Sequence, residues 1–203
     1  PSLMKKEGIL IYENFAKKLL KIIKKKSVSF EVFSDELKTM EAQANKISSW
    51  GKNVYVKIPI TNTKGKSTAS LINNLNRKNI NCNITAIFTI DQVKHLLKNI
   101  DFKSKNIFSI FAGRIADTGV DPKDIIQQSI KLTKKYKNIE ILWASVREPY
   151  NIVEADSCDC HIVTVPPSIL KKLNKFNFNL KKYSLSTVKQ FYIDAHKSKL
   201  RIK

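Results

Sequence analysis

The feature that most constrains this chain is a repeated change of period, in which short runs of β-branched and aromatic residues alternate with longer amphipathic stretches. Such alternation is the pattern of βα units feeding one parallel sheet, because a parallel neighbour is reached only by a crossover long enough to hold a helix. Six short runs read as strands, at 28–32, 53–58, 80–87, 106–111, 140–144 and 161–165, each followed by a helical stretch. The strand-end residues Glu31, Lys57, Thr85 and Phe111 are spaced by 26, 28 and 26 positions, one strand plus one helix at each step. A step so regular favours a (β/α)8 barrel, the TIM barrel, over an irregular open sheet.

Residues 7–25 read as a helix ahead of the first strand, with Ile9, Tyr12, Leu19, Ile22 and Ile23 turned inward and the lysines outward. An opening helix needs a preceding strand, and a barrel of this type usually takes about 250 residues. Two strands are therefore expected to precede Pro1. At the other end, 176–182 reads as a polar connector and 184–199 as a last helix with Leu185, Val188, Phe191 and Ala195 on one face. One domain spanning 1–203 is expected, with 176–203 as its C-terminal connector and helix.

Composition narrows the function classes. A net charge of +20 raises nucleic acid as a partner, but the lysines are spread over nearly every predicted helix. The arginines number four, Arg77, Arg114, Arg147 and Arg201. A specific nucleic-acid reader concentrates Arg on one element, so no nucleic-acid partner is expected. No apolar run is long enough to span a membrane, and the chain reads as cytoplasmic, without a membrane partner. Cys82, Cys158 and Cys160 read as reduced structural thiols, since Cys158-x-Cys160-His161 lacks a second ligand pair at zinc spacing. No metal and no cofactor are expected.

The chemistry is expected at the C-terminal strand ends, which converge on one rim of a parallel barrel. Lys57 lies late in Val54-Tyr-Val-Lys-Ile-Pro59, on the face shared with Tyr55. A lysine inside an apolar strand is rare. Desolvation favours the uncharged amine, the form that attacks a carbonyl. A lysine at a strand end can also snorkel to solvent, so its neighbours decide. Asn83 and Thr85 alternate to one side of their strand, Ser109 and Phe111 do the same on the next, and Ser145 ends the following one. Just beyond two of these strands stand Arg114 and Arg147, whose guanidinium forks suit a phosphate.

Val56-Lys-Ile-Pro-Ile-Thr61, Asn83-Ile-Thr85, Ser109-Ile-Phe-Ala-Gly-Arg-Ile115 and Ala144-Ser-Val-Arg147 resemble, in order and spacing, four successive motifs of the transaldolase family. Pro1-Ser-Leu3 resembles the end of a fifth, Thr-Thr-Asn-Pro-Ser, which follows the family's second strand. The resemblance extends from Pro1 to about Leu173.

It implies that Lys57 forms a Schiff base with a ketose carbonyl, and that Asn83 and Ser109 bind the resulting dihydroxyacetone unit. Glu31 and Thr85 would hold a catalytic water, and Arg114, Ser145 and Arg147 a phosphate. The acidic residue that the family carries on its first strand would fall before Pro1. Glu31 and Phe111 match the transaldolases, whereas the fructose-6-phosphate aldolases carry Gln and Tyr there. Transfer of a three-carbon unit between sugar phosphates, as in the pentose phosphate pathway, is therefore expected. The alternatives are an aldolase that releases the unit, in surface-polysaccharide metabolism for instance, and a basic, non-catalytic binding protein. A homo-oligomer is expected, since small-subunit relatives use the last helix between subunits.

Overall fold

The computed structural model describes residues 8–201, so the Pro1-Ser-Leu3 match and Glu7 lie outside the described residues. The chain divides into two compact units, Pro1–Val165 and Pro166–Lys203. Element order in the first unit is α1 (Tyr12–Ile22), β1 (Val28–Glu31), α2 (Leu37–Ser48), β2 (Val54–Pro59), α3 (Ala69–Arg77), β3 (Cys82–Ile87), α4 (Ile90–Asn99) and β4 (Asn106–Ile110). It continues with a short α5 (Ala112–Ala116), α6 (Lys123–Thr133), β5 (Ile139–Trp143), α7 (Tyr150–Ser157) and β6 (Ile162–Val163). All six expected strands form. They pair in parallel and in sequence order, β1 to β6.

Alternation along each strand gives the sheet two different faces. One face carries Phe30, Val56, Ile58, Ile84, Phe108, Ile141 and Trp143, with Met40, Ala44 and Ile47 of α2, Leu71, Ile72 and Leu75 of α3, Val93 and Leu96 of α4 and Ile126 of α6, all buried. This layer is the main core, and each of its valine, leucine, isoleucine, methionine and phenylalanine side chains withdrawn from water contributes about 1.5–3 kcal/mol. The other face is concave. Ser29 of β1 and Asn83 of β3 meet in front of β2, with Asn83 Nδ2 donating to Ser29 Oγ at 2.9 Å. Two short side chains from strands one removed from each other meet in this way when the sheet curls towards them. Burial and curl give an α/β fold with a curled sheet of six parallel strands and helices packed on its outside.

Helix α1 is shorter than the expected 7–25, running from Tyr12 to Ile22 with Ile23 as its C-cap and Ile9 ahead of it, and one of its residues faces the other way. Tyr12, Leu19 and Ile23 are half-buried and Ala16 is buried, but Ile22 is 81% exposed. At 100° per residue, Tyr12, Ala16, Leu19 and Ile23 fall within one narrow stripe, and Ile22 lies about 80° off it. Tyr12 also serves the edge of the sheet: its hydroxyl accepts the backbone N–H of Glu31 at 2.8 Å, a donor that no strand takes among the described residues.

The second unit holds α8 (Pro167–Leu170), a 3₁₀ turn at Lys171–Lys175 and α9 (Leu180–Ser198). Helix α9 starts four residues earlier than the 184 expected, because Asn179 caps it by accepting the N–H of Lys182 at 3.1 Å. Leu185, Val188 and Phe191 on α9 are exposed. No helix among the described residues is long and apolar enough to cross a membrane.

Candidate active site

The concave face has an apolar floor and a polar upper row. Tyr55, Ile107, Leu142 and Ala144 form one buried cluster, with Phe111 and Ile162 packed against it. Lys57 is the next residue along β2 on the same face as Tyr55, about 6.6 Å farther towards the strand's C-terminal end. It is half-buried, and its amine has no hydrogen bond or ion pair among the described residues.

Strand register sets Lys57 between two of the other candidates, Glu31 on β1 and Asn83 on β3. These three stand 26 residues apart along the chain, so the regular step belongs to Glu31, Lys57 and Asn83, with Thr85 one pleat beyond the row. Asn83 is 4% exposed and Ser109 2% exposed. Ser109 Oγ donates to Asn83 Oδ1 at 2.6 Å, and Asn83 in turn donates to Ser29. A fixed chain Ser109–Asn83–Ser29 thus crosses the face beside Lys57, settles the orientation of the amide and leaves one Nδ2 hydrogen available.

Thr85 is buried, and its hydroxyl has no hydrogen-bond partner among the described residues. A buried hydroxyl without a partner costs about 1–3 kcal/mol, so it marks a place that needs a function or a further polar group. Immediately after it, Ala86 adopts φ 59° and the β3–β4 register slips between Ile84 and Ile87. A non-glycine residue in the left-handed region costs of order 1–2 kcal/mol. Ser145, past the end of β5, is strained in the same way at φ 65°. Both strained residues sit at C-terminal strand ends, where the candidate residues gather.

Phe111 caps the start of α5 instead of ending β4. Its ring packs on the apolar floor and against Phe88, with centroids 5.8 Å apart, and the Arg114 guanidinium carbon lies 5.1 Å from its centroid. Arg147 lies against the same turn. Its Nη2 forms an ion pair with Asp117, and its backbone N–H donates to Asn151 Oδ1 at 2.8 Å. The junction is close because Gly113 lies against Ser145: a Cβ on Gly113 would fall 1.6 Å from the Ser145 carbonyl oxygen and 3.1 Å from Arg147 Cγ. The turn that carries Arg114 therefore lies against Ser145 and Arg147 at the adjoining ends of β4 and β5.

Glu31 and Thr85 are not hydrogen-bonded to each other among the described residues. They lie on β1 and β3, with β2 between them. A 310 Å³ apolar cavity lined by Tyr12, Glu31, Phe33, Ile47 and Trp50 lies between α1 and α2. Of the candidate residues it includes Glu31 alone, and the lysine on its lining, Lys46, is paired with Glu13 at 3.4 Å.

Sequence reasoning missed Ser29, Gly113 and Asp117. Ser29 was available from alternation, two residues before Glu31 on the same face. Asp117 had no local signal, because its partner is 30 residues away. The cysteines are free, and burial pushes the Cys82 thiol up to about 12 and Cys160 up to about 11. Thiols so shifted are poor nucleophiles at neutral pH. Among the described residues no group of three or more His, Cys, Asp or Glu side chains is placed to hold a metal ion.

The chain is similar to known proteins along most of its length. The family model described as Transaldolase/Fructose-6-phosphate aldolase matches residues 5–202. A protein named probable transaldolase from Nitrosopumilus maritimus (strain SCM1) is 34% identical over 175 residues, 85% of this chain and 74% of that protein. One of the same name from Thermoanaerobacter sp. (strain X514) is 32% identical over 176 residues, covering 86% and 77%. Another from Thermoplasma volcanium is 35% identical over 178 residues, covering 86% and 76%. With six ordered βα units, a lysine on the concave face and a family match over nearly its whole length, the chain belongs to the transaldolase/fructose-6-phosphate aldolase family.

Proposed function

We propose that this chain transfers a dihydroxyacetone unit between sugar phosphates through a Schiff base on Lys57, and that its curled sheet is part of a (β/α)8 barrel. The observation that carries this reading is the row Glu31–Lys57–Asn83 above an apolar floor. The Lys57 amine attacks the ketose carbonyl carbon, and the carbonyl oxygen leaves as water. The iminium then accepts the electron pair released when the bond between the α- and β-carbons breaks, leaving the three-carbon unit on Lys57 as an enamine, and the β-hydroxyl proton of the departing aldehyde passes to a base. Asn83, held by Ser29 and Ser109, presents its remaining N–H to the three-carbon unit. Thr85, with its unpartnered hydroxyl, and Glu31 hold the water that relays protons. Arg114, Ser145 and Arg147 bind the phosphate.

Transfer is favoured over release by the residues nearest the adduct. Phe111 is packed on the floor and under Arg114, so it offers no hydroxyl to hold a hydrolytic water, and the adduct waits for an aldehyde acceptor. The names of the relatives support the same direction. The expected result is that fructose 6-phosphate yields glyceraldehyde 3-phosphate much faster with erythrose 4-phosphate present than without it. Equal rates in a coupled assay would replace transfer with simple aldol release. Three free cysteines suit a reducing, cytoplasmic setting.

The reading extends to assembly. We infer a homo-oligomer in which α9, with Leu185, Val188 and Phe191 exposed, lies between subunits. A chain ending at Phe178 lacks the whole helix together with its Asn179 cap, and light scattering is expected to show it at lower mass than the full chain. Unchanged mass would exclude α9 from the contact.

A further inference from the structure

We propose that Asp117 is a positioning residue for Arg147, holding its guanidinium fork in the orientation that receives a substrate phosphate; this rests on the phosphate reading of Arg147 given above. Asp117 follows α5, and its own N–H donates to the Gly113 carbonyl at 3.0 Å, which holds its backbone at the helix end. From there it meets Arg147 at Nη2 alone. A single contact at one nitrogen restrains the fork yet leaves Nε, Nη1 and the second Nη2 hydrogen free for an anion.

Arg147 is restrained at both ends. Its backbone N–H is held by the side chain of Asn151, a residue 8% exposed, and that side chain is itself held by Glu154 through an Nδ2–Oε2 bond of 2.8 Å. Between those ends the stem runs past Gly113, where an added Cβ would stand 3.1 Å from Cγ. Arg114 is held differently, over the face of Phe111, a contact that occupies none of its N–H donors. Two arginines are thus oriented from one turn of chain, residues 111–117, one by an aromatic face and one by a carboxylate.

The ion pair is about half exposed on both sides. Exposed pairs add little to folding stability, so the effect of Asp117 falls on the order it imposes on a long, flexible side chain before the anion arrives. A carboxylate beside a phosphate also repels it. With one nitrogen occupied and the rest of the fork free, orientation outweighs that repulsion.

The test is steady-state kinetics of the full chain with fructose 6-phosphate and with unphosphorylated fructose as donors. Asp117→Ala is expected to raise KM for the phosphorylated donor about fivefold, the upper range for an exposed pair, with little change in kcat or in the unphosphorylated reaction. Asp117→Glu is expected to recover part of that loss, and Asp117→Ala in an Arg147→Ala background to add nothing. An unchanged or lower KM in Asp117→Ala, beside a phosphate-specific rise in Arg147→Ala, overturns the positioning role alone. No phosphate-specific change in Arg147→Ala overturns the phosphate reading and this proposal with it. A matching thermal midpoint for Asp117→Ala and the unaltered chain excludes general unfolding as the cause of a KM change.

Discussion

Lys57→Met is expected to lower transfer activity by about three orders of magnitude or more, the scale on which removal of a covalent nucleophile is felt, while leaving the fold intact. Methionine keeps the length of the stem and suits the floor formed by Tyr55, Ile107, Leu142 and Ala144. The lysine amine makes no ion pair or hydrogen bond among the described residues, so no partner is orphaned when it goes. An unprotonated primary amine condenses with a ketose to an iminium, and borohydride reduces that iminium to a stable secondary amine, whereas reduction of the free ketose attaches nothing to the protein. Incubation of the full chain with fructose 6-phosphate and borohydride is therefore expected to add the mass of the reduced adduct to the peptide holding Lys57, and to add nothing in the variant. Absence of the adduct from folded, unaltered protein would sink the lysine assignment. Equal labelling of Lys57→Met would move it to another of the many lysines.

The strands that carry this lysine were legible because their apolar residues repeat at a period of two, and burial on the core face enforces it. Phe30, Val56, Ile84, Phe108 and Ile141 could not be shifted by one residue without turning the core outward. Legibility fails where the period breaks. The last strand, expected over 161–165, shrinks to Ile162–Val163, and the ring of His161 takes the Ile141 N–H at 3.1 Å in place of a strand carbonyl. Ser145 cannot be assigned a face by alternation from Leu142 and Ala144, since its left-handed backbone ends the pleat. Of the site, the row Glu31–Lys57–Asn83 follows from a 26-residue step and the parallel register. The contact of Asp117 with Arg147 and the approach of Gly113 to Ser145 come from how two loops fold onto each other, which no periodicity encodes.

That approach supplies the second large effect. Gly113→Ala is expected to destabilise the protein by about 3 kcal/mol, the upper range for forcing atoms into a packed site, and to weaken phosphate recognition as well. The backbone angles of Gly113 are open to any residue; what the position requires is space. A methyl group there would lie 1.6 Å from the oxygen and 2.7 Å from the carbon of the Ser145 carbonyl, and neither is the end of a flexible side chain. Relief by moving Ser145 is costly, since it already sits at φ 65° and follows Ala144, whose N–H is bonded to Ile110 at 2.8 Å. Relief by moving α5 breaks the Gly113 N–H bond to the Ala144 carbonyl, now 3.3 Å, and carries Arg114 and Asp117 away from Arg147. Either path separates the two arginines, so stability and phosphate binding fall together. For a chain of this size about 3 kcal/mol corresponds to a drop of roughly 6–12 °C in Tm. Calorimetry beside KM for fructose 6-phosphate checks both halves. A variant that melts with the unaltered protein and keeps its KM would show that the β4 and β5 ends yield freely, and that the junction does not set the arginine pair.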